Sequence, residues 1–220
     1  TPGERLLDIG CGWGGLAMHA ARHYGVEVFG ITISREQLDL ARERCRGLPV
    51  EIRLMDYREL NGRFDKIVSV GMFEHVGLKN YPAYFRAAAD VLSDQGLMLL
   101  LHTIGSRESN RGTDPWVDKY IFPNGAIPSV RQIGAAWEPW LVLEDWHCFG
   151  LDYDRTLQAW WANFDAAWPT LQGDRYDQRF YRMWKYYLHL FMGYFRSRRG
   201  QLWQLVLSRP TRSRVYRSLR

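Results

Sequence analysis

An apolar segment followed at once by closely spaced glycines is the feature that most limits how this chain can fold. Residues 6–9 form a short run broken by a single acidic residue, which is typical of a buried parallel strand. Gly10, Gly12 and Gly14 follow and remove the side chains that would keep a ligand away from the backbone. Residues 16–24 then continue as a helix whose free N–H groups face the same crevice. The segment therefore predicts a strand, a glycine hinge and a helix that together bind a nucleotide-like ligand.

The glycine spacing alone does not identify that ligand. Gly10, Gly12 and Gly15 also satisfy the G-x-G-x-x-G pattern of NAD-binding proteins. A dinucleotide site has an acidic residue at the end of its second strand, whereas the second strand predicted here, residues 26–32, ends in Thr32. This difference favours another adenosyl ligand over NAD.

Two polar side chains near the hinge are candidates for ligand contacts. The Asp8 carboxylate could accept hydrogen bonds from a ligand ammonium group, and its structural alternative is to stabilise a turn. Ser34 and Gln37 form a capping-box pattern that opens a helix to about Cys45. Gln37 could instead reach the hydroxyl groups of a ribose.

The rest of the chain alternates strands with helices, which predicts a doubly wound α/β sheet. Further strands are expected at residues 50–54, 64–70 and 96–101, and a short strand-like run follows at 141–143. Helices are expected at residues 82–92, 130–137, 153–168 and 176–198. Residues 202–207 form a closing strand, which we place as the antiparallel edge member of the sheet.

Titratable side chains follow several predicted strand ends. Tyr57 follows the third strand, Glu74 and His75 follow the fourth, and His102 ends the fifth. The structural alternatives are that Glu74 and His75 start a helix and that His102 is a hydrogen-bonded core residue. Residues 105–128 are punctuated by Gly, Pro, Ser and Asn, so we expect a long loop that covers this edge of the sheet.

Composition limits the classes of protein to which the chain can belong. With 220 residues, of which 46% are hydrophobic, it can bury one sizeable core, and we expect one core plus a cap. It has no uncharged apolar run of about 18 residues and no leader pattern, so a cytoplasmic location is expected. Its three cysteines lack metal-like spacing, which argues against a disulfide framework and against a metal site.

The net charge of +5 invites a nucleic-acid partner, but most basic residues are interleaved with the 24 acidic ones, and we expect no nucleic acid. The exception is residues 211–220, in which Arg212, Arg214, Arg217 and Arg220 occur without an acidic residue. This basic tail is expected to be solvated, and the alternative is contact with an anionic surface.

Seven segments carry a resemblance to a known family: LLDIGCGWGGLA, ITISREQ, VSVGMFEHVG, LLHTIG, DPWVDKYIFPNG, EDWHCFGLDYDRTL and YDQRFYRMWKYYL. Several are long and uncommon, and they extend over nearly the whole chain. The chain resembles the cyclopropane-fatty-acyl-phospholipid synthases and the related mycolic acid cyclopropane synthases and lipid methyltransferases. The resemblance implies a Rossmann-like class I methyltransferase domain over residues 1–210, with a basic tail at 211–220. It also implies a helical, aromatic-rich lipid-binding cap at about 105–130 and 150–200.

Members of this family use S-adenosylmethionine as the methyl donor. The resemblance implies that the hinge and the end of the second strand hold its methionine and ribose portions, while the end of the third strand lies near adenine. The residues implied as donor contacts are Asp8, Gly10, Cys11, Gly12, Gly14, Thr32, Ile33, Gln37, Tyr57 and Arg58.

The reaction implied by the resemblance is attack of a cis double bond of an unsaturated membrane phospholipid on the donor methyl, followed by proton loss and ring closure. An alkene is a weak nucleophile and water would trap the cation, so alignment and a dry pocket are needed. The family carries a bicarbonate that takes the proton, and its implied ligands are Glu74, His102, Tyr153 and the backbone of Ile104. Peripheral contact with anionic lipids at the inner face of the membrane is expected, and a homodimer is compatible with the sequence.

Two departures from the family pattern bear on activity. Family members carry a long segment before the first strand, with a Tyr-Ser-Cys stretch that closes over the donor, so we interpret the chain as a fragment whose turnover depends on that segment. Phe191 stands where many relatives have Cys, so no catalytic thiol is expected. The alternatives are a catalytically incomplete domain that binds donor and lipid, and a lipid methyltransferase giving a methyl-branched product. An NAD-dependent reductase and a nucleic-acid methyltransferase rank after these.

Overall fold

The computed structural model describes residues 1–110, 112–173 and 175–218. Its strands are β1 (Arg5–Ile9), β2 (Glu27–Thr32), β3 (Val50–Leu54), β4 (Phe64–Val70), β5 (Leu92–Ser106), β6 (Val142–Cys148) and β7 (Gly200–Ser208). Its α-helices are α1 (Gly15–Tyr24), α2 (Arg35–Arg44), α3 (Tyr81–Val91), α4 (Pro115–Tyr120), α5 (Val130–Trp137), α6 (Gly150–Leu171) and α7 (Gln178–Arg196). Arg220, the last arginine of the predicted tail, lies outside the described residues.

Within the described ranges the strands form one sheet in the order β3-β2-β1-β4-β5-β7-β6. The first five strands pair in parallel, and the chain moves outward from β1 to β3 before it returns to the other side of β1 as β4. This reversal between β1 and β4 is the topological switch point at which open α/β sheets bind ligands. The predicted doubly wound, class I methyltransferase type of fold is confirmed.

Helices cover both faces of the sheet because its parallel strands are apolar on both sides. On one face, Ala21 of α1 and Leu38 of α2 pack in a single buried cluster with side chains of β1, β2 and β4. On the other face, Phe85 of α3 and Trp137 of α5 belong to a second buried cluster. The two clusters hold the strand ends, and therefore the switch-point crevice, in fixed positions.

The closing strand β7 is antiparallel as predicted, but its predicted position at the edge of the sheet is wrong. β7 pairs with β5 on one side and with β6 on the other, so β6 is the edge strand. The sequence pattern predicts a strand in this region only at residues 141–143, because Glu144, Asp145, His147 and Cys148 break the apolar run. Charged and polar residues of this kind are typical of an edge strand, where one side of the ladder faces solvent.

A helical cap lies above the carboxyl end of β5. Aromatic rings hold α6 and α7 together, as in the contacts of Trp161 and Phe164 with Tyr181. A third buried cluster joins both helices to α4 and includes Leu202 of β7, which pairs with Ile104 near the end of β5. In the part of the chain that the structure describes, no helix is both long and apolar enough to cross a membrane.

The start of the basic tail is attached to the domain, so the prediction of a solvated tail is wrong for Arg212. The Arg212 guanidinium lies 3.6 Å from the Glu144 carboxylate, and its side chain is only 7% exposed. The preceding Ser208 pairs with Leu97 and Val142, at the amino ends of β5 and β6. The tail therefore leaves the domain at the edge of the sheet opposite to the switch-point crevice.

Candidate functional site

The glycine hinge is built from two close contacts and one open position. A Cβ atom on Gly10 would lie 2.5 Å from Met72 Cγ, and one on Gly14 would lie 3.0 Å from the Ala41 Cβ of α2, so both glycines allow the loop to pack against its neighbours. Gly12 differs, since a Cβ there would meet no protein atom within 4 Å. Its φ of 53° lies in the left-handed region that glycine adopts without strain. The backbone at Gly12 is therefore open to an approaching ligand.

Asp8 is a buried carboxyl group beside this hinge. It is 3% exposed and lies in β1 between β2 and β4. Its Oδ2 atom is buried without a hydrogen-bond partner, and burial raises the pKa of Asp8 to about 7. A buried carboxylate without a partner is energetically unfavourable, and a nearby positive charge would stabilise this ionised form. The lone Oδ2 fits an acceptor for a ligand ammonium group better than a turn-stabilising role, which would engage this oxygen.

A hydrogen bond between two polar side chains joins the end of β2 to the first turn of α2. Thr32 donates its hydroxyl hydrogen to Gln37 Oε1 at 2.7 Å, while Ser34 Oγ accepts from the Gln37 N–H at 3.2 Å. Ser34 therefore caps α2 as predicted, but the reciprocal half of the capping box is missing because the Gln37 amide faces Thr32. Ile33, between these residues, is 81% exposed and contributes little to the core. This arrangement fits the predicted binding of ribose hydroxyls.

The end of β3 is joined to the end of β2. The Met55 N–H donates to the Thr32 carbonyl at 3.0 Å, and the chain then forms a short 3₁₀ helix that begins at Tyr57. Arg58 is fixed by hydrogen bonds of 2.8 and 2.7 Å to the two carboxylate oxygens of Asp56. The side chains predicted near adenine therefore lie next to those predicted near ribose.

The hinge and the loop after β4 connect these strand ends to a second region. Cys11 donates its N–H to the Ile31 carbonyl at 2.9 Å, and Gly71 donates to the carbonyl of His102 at 2.9 Å. Met72, which packs under Gly10, follows Gly71 directly. The ends of β2, β1, β4 and β5 thus form one continuous edge, open near the hinge and closed near β5.

A cavity of about 500 Å³ lies at the β5 end of this edge. It is bounded by the loop after β4, the segment between β5 and α4, and the cap helices. All four residues predicted around an anion line it, namely Glu74, His102, Ile104 and Tyr153. These residues are widely separated in the sequence, and the fold brings them into one cavity. None of the ten predicted donor contacts lines it, since they lie along the open part of the edge.

Glu74 is the most unusual group in the cavity. Its Oε1 accepts from the Ile104 N–H at 2.7 Å, and its Oε2 is buried without a partner. Burial raises the pKa of Glu74, so the carboxyl group keeps its proton to higher pH than an ordinary glutamate. Because the Ile104 N–H already donates to Glu74, any contact of that backbone group with an anion would be shared with the carboxyl. Glu74 and His75 lie in a short 3₁₀ helix, and both line the cavity.

His102 and Tyr153 add two neutral hydrogen-bonding groups. The Gln204 amide nitrogen lies 3.5 Å from His102 Nδ1, and in the tautomer with the ring proton on Nε2 the amide can donate to Nδ1 while Nε2 can donate into the cavity. Burial lowers the pKa of His102, so the ring is neutral over a wider pH range. Burial raises the pKa of Tyr153, so its hydroxyl stays protonated. Glu74, His102 and Tyr153 can therefore all donate a hydrogen bond.

Aromatic and aliphatic side chains form most of the remaining wall. Phe122, Phe191 and Tyr194 line the cavity, and the sequence pattern assigns none of them to a site. Phe191 and Tyr194 lie three residues apart on one face of α7, a spacing that equally indicates ordinary core packing. Phe191 contributes an unreactive phenyl ring, so this part of the wall is apolar rather than nucleophilic.

Comparison with known proteins connects this geometry to a family. The description Mycolic acid cyclopropane synthetase belongs to the family profile that matches residues 1–205. The cyclopropane-fatty-acyl-phospholipid synthase of Escherichia coli K12 is 59% identical over 208 residues, which cover 94% of this chain and 54% of that protein. A probable fatty acid methyltransferase of Pseudomonas putida is 40% identical, over 84% of this chain and 50% of its own length. The chain spans about half the length of these curated relatives.

Solved structures give the same picture. The cyclopropane synthase MmaA2 from Mycobacterium tuberculosis superimposes with a TM-score of 0.82 at 26% identity, over 95% of this chain and 79% of that chain. The mycolic acid cyclopropane synthase CmaA1, in a complex with SAH and CTAB, gives a TM-score of 0.83 at 28% identity, over 94% of this chain and 78% of that chain.

Proposed function

The chain belongs to the mycolic acid cyclopropane synthetase family, and on this premise we propose that it is the catalytic domain of a cyclopropane-fatty-acyl-phospholipid synthase. The enzyme adds a methylene unit from S-adenosylmethionine across a cis double bond of an unsaturated phospholipid acyl chain. The observation that carries the proposal is the buried, unpartnered Glu74 Oε2, which lies beside His102 in an aromatic cavity that adjoins the donor-type glycine hinge.

The open edge of the sheet fits the methyl donor. Gly12 leaves room for close approach, Asp8 offers an unpartnered carboxyl oxygen for the ammonium group, and Gln37 lies where ribose hydroxyls would contact it. When bound, S-adenosylmethionine supplies an electrophilic methyl group on a sulfonium centre. The Met72 contact under Gly10 places the hinge beside the loop that leads to Glu74. This supports transfer of the methyl from the open edge into the cavity.

The cavity fits an acyl chain and the cation that forms on it. Phe122, Tyr153, Phe191 and Tyr194 present ring surfaces to its interior, and aromatic faces attract positive charge. The cap helices contribute one wall of the cavity, and the reaction needs a water-poor site because water would trap the carbocation. The double bond attacks the methyl carbon as the bond from that carbon to sulfur breaks, which releases S-adenosylhomocysteine and leaves the cation on the lipid chain. Loss of one proton from the transferred methyl to a base then closes the ring.

A bicarbonate ion would fit among the hydrogen-bond donors of the cavity. The protonated Glu74 Oε2, the His102 Nε2 and the Tyr153 hydroxyl can each donate to one of its oxygens. When bound, bicarbonate supplies a proton acceptor next to the cation. Burial raises the pKa of Glu74, which favours its neutral form and so reduces the repulsion that a carboxylate would exert on a bound anion.

The main alternative product is a methyl-branched fatty acid. The Pseudomonas putida relative, a probable fatty acid methyltransferase, is compatible with this alternative. The two products differ only in the fate of the cation. A proton lost from the transferred methyl gives a ring, whereas a proton lost from the acyl chain leaves a methyl branch.

Substrate of this kind lies in membranes, so we propose that the protein acts in peripheral contact with the inner face of the membrane. A direct test joins this chain to the amino-terminal half of the Escherichia coli relative and expresses it in cells without cyclopropane lipids. Gas chromatography of their fatty acids should then show cyclopropane acids at the expense of unsaturated ones. Unchanged fatty acids from a well-expressed, donor-binding protein would favour the catalytically incomplete alternative.

Binding of S-adenosylmethionine should release a proton from Asp8 in a pH-dependent way. The Asp8 pKa of about 7 means that the carboxyl is mostly protonated at pH 6, and the ligand ammonium group should stabilise its ionised form. About one proton should be released per ligand at pH 6 and nearly none at pH 8, with affinity rising by up to about tenfold per pH unit below 7. Calorimetry in buffers of different ionisation enthalpy measures this number. Burial raises the pKa of the neighbouring Cys11 to about 12, so that thiol should not contribute.

The Asp8→Asn variant is the control for proton release. It should bind the donor weakly and without pH dependence. Because the Asp8 pKa is raised in the folded state, ionisation of this group opposes folding, and stability falls as the pH rises from about 4 through about 7. Asp8→Asn should therefore raise the melting temperature of the free chain at pH 8 more than at pH 4. Proton release that persists unchanged in the variant would remove Asp8 from the ammonium site.

A further inference from the structure

A second concave surface lies outside the cavity, between α4 and the first turns of α7. We call it the arginine groove, and its volume is about 490 Å³. It is lined by Asp114, Trp116, Tyr120, Arg179, Arg182, Met183 and Tyr186. None of these residues belongs to the predicted donor or anion sites, so the groove has no role in the chemistry described above.

The groove and the cavity lie along the same helix. Arg179, Arg182, Met183 and Tyr186 are spaced three, four and seven residues apart and share one face of α7. One to two turns further on, Leu190, Phe191 and Tyr194 line the cavity. From Arg182 to Phe191 the helix rises by about 13 Å. This rise is close to the thickness of the hydrocarbon layer of one lipid leaflet, which is about 15 Å, or half of the hydrocarbon core of the bilayer.

α4 separates the two spaces and contacts both. Val117 of α4 lines the cavity, whereas Trp116 and Tyr120 line the groove. Asp114, at the amino end of α4, lines both. A molecule could therefore reach from the groove into the cavity by passing the start of α4.

Among the described residues that line the groove, the two arginines outnumber the single carboxylate, that of Asp114, so the lining carries a net positive charge. Within the described residues, no carboxylate lies within 4 Å of either guanidinium group. The Asp114 carboxylate is used to cap α4, where it accepts from the N–H groups of Trp116 and Val117. A hydrogen bond from Lys119 and the charge of Lys119 lower the pKa of Tyr120, with a smaller contribution from Arg179. By contrast, Arg199 at the rim of the cavity lies 3.9 Å from Glu108.

Aromatic side chains surround this charge. Trp116 contacts Tyr186 edge-to-face, with ring centroids 4.5 Å apart, and Tyr186 is 52% exposed. Trp and Tyr of this kind are enriched where one end of the ring meets lipid and the other meets water. Arginine binds phosphate through parallel hydrogen bonds from its planar guanidinium group. The groove thus combines a phosphate-binding pair with an interfacial aromatic wall.

We propose that the arginine groove binds the phosphodiester of the substrate phospholipid, with the acyl chain entering the cavity past α4. This proposal rests on the proposed function for the identity of the lipid. It assigns membrane engagement to the cap and not to the basic tail, because the tail leaves the domain at the opposite edge of the sheet. The groove would hold the headgroup end at a fixed distance from the reacting double bond.

The test compares two double variants that remove the same charge. Arg179→Gln/Arg182→Gln changes the groove, and Arg214→Gln/Arg217→Gln changes exposed arginines of the tail. The probe is a monomeric short-chain phosphatidylglycerol, with the matching diacylglycerol as the phosphate-free probe, and binding is measured by calorimetry. The groove variant should bind phosphatidylglycerol about 10- to 30-fold more weakly, as expected for two basic contacts. The tail variant should remain within about twofold of the parent.

The phosphate-free probe and a conservative variant make the test specific. Diacylglycerol should bind the parent and the groove variant equally, and inorganic phosphate should compete with phosphatidylglycerol in the parent alone. Arg179→Lys/Arg182→Lys should recover part of the affinity, since it keeps the charge and loses the planar donors. Equal losses in the groove and tail variants would overturn the proposal, as would unchanged binding by the groove variant. Tighter, equally arginine-dependent binding of a single-stranded oligonucleotide would assign the groove to nucleic acid instead.

These measurements need neither donor nor turnover, so they separate the groove from the reaction. In the joined, active protein the groove variant should raise KM for the phospholipid and leave kcat nearly unchanged. Failure of cyclopropane formation with intact phosphatidylglycerol binding would contradict the proposed function alone. Normal cyclopropane formation with arginine-independent lipid binding would contradict the groove alone.

Discussion

Replacing Glu74 with Gln is expected to slow lipid cyclopropanation by about 10²- to 10⁴-fold, the usual effect of disabling a proton-transfer site. Gln keeps the shape of the side chain, and its amide oxygen can still accept from the Ile104 N–H. It replaces a carboxyl group that can take up or pass on a proton with an amide that cannot, although the amide NH₂ can still donate a hydrogen bond to the ion. His102→Ala should have a comparable effect, because it removes the Nε2 donor and leaves a gap in the wall. Tyr153→Phe should cost less, since it removes one of several donors.

The measurement is kcat with the chain joined to the amino-terminal half of a relative, together with the dissociation constant for S-adenosylmethionine. The cavity residues lie near the carboxyl ends of β4 and β5 and on α6, whereas the donor contacts lie near the carboxyl ends of β1, β2 and β3, so donor affinity should change by no more than about twofold. The matched control is His23→Ala, which replaces an exposed histidine of α1 and should leave kcat equal to that of the parent protein. Near-normal kcat for Glu74→Gln would exclude the cavity cluster as the proton-accepting site.

Gly12→Val is expected to weaken S-adenosylmethionine binding by at least about 100-fold, because it places a branched side chain where the ligand approaches the backbone. The same substitution also strains a residue at positive φ, and that effect needs its own control. Gly62 has φ of 89°, and a Cβ atom added there would likewise meet no protein atom within 4 Å, but Gly62 precedes β4 at the other edge of the sheet. Gly62→Val should therefore lose similar stability and keep donor affinity.

Calorimetric titration of both variants, with melting temperatures measured in parallel, makes this comparison. The prediction is equal destabilisation and unequal binding. If both variants lost binding to the same extent, strain in the fold would explain the loss, and the placement of the donor over Gly12 would be wrong.

The fold could be predicted from sequence wherever local pattern decides the structure. The hinge after β1 and the Ser34 cap of α2 depend on glycine spacing and on a nearby hydrogen bond, and both occur in the structure. The order of β7 and β6 depends on pairing between segments about 60 residues apart, which no local pattern encodes. The contact between Arg212 and Glu144 could not be predicted for the same reason, since these residues are also far apart in the sequence.

The titratable residues of the site could be predicted from the sequence, but the aromatic residues that line its cavity could not. Glu74 follows β4, whereas His102, predicted to end the fifth strand, lies inside β5, so both are identified as ion ligands by the family resemblance and not by strand ends alone. Phe191 and Tyr194 lie on an amphipathic helix whose apolar spacing is the same for a core and for a substrate cavity. The lone Oε2 of Glu74 is likewise a property of packing, because it depends on what surrounds the carboxyl after folding.

The most direct test of the central claim follows the methyl hydrogens into the lipid. The chain joined to the amino-terminal half of the Escherichia coli relative is incubated with S-adenosylmethionine carrying a trideuterated methyl group and with an unsaturated phospholipid, and the product is analysed by mass spectrometry. Ring closure removes one hydrogen from the transferred methyl, so the predicted product is a cyclopropane lipid that retains two of the three deuterium atoms. A product that retains all three would be methyl-branched, and it would contradict the cyclopropane assignment, as would the absence of any mass gain.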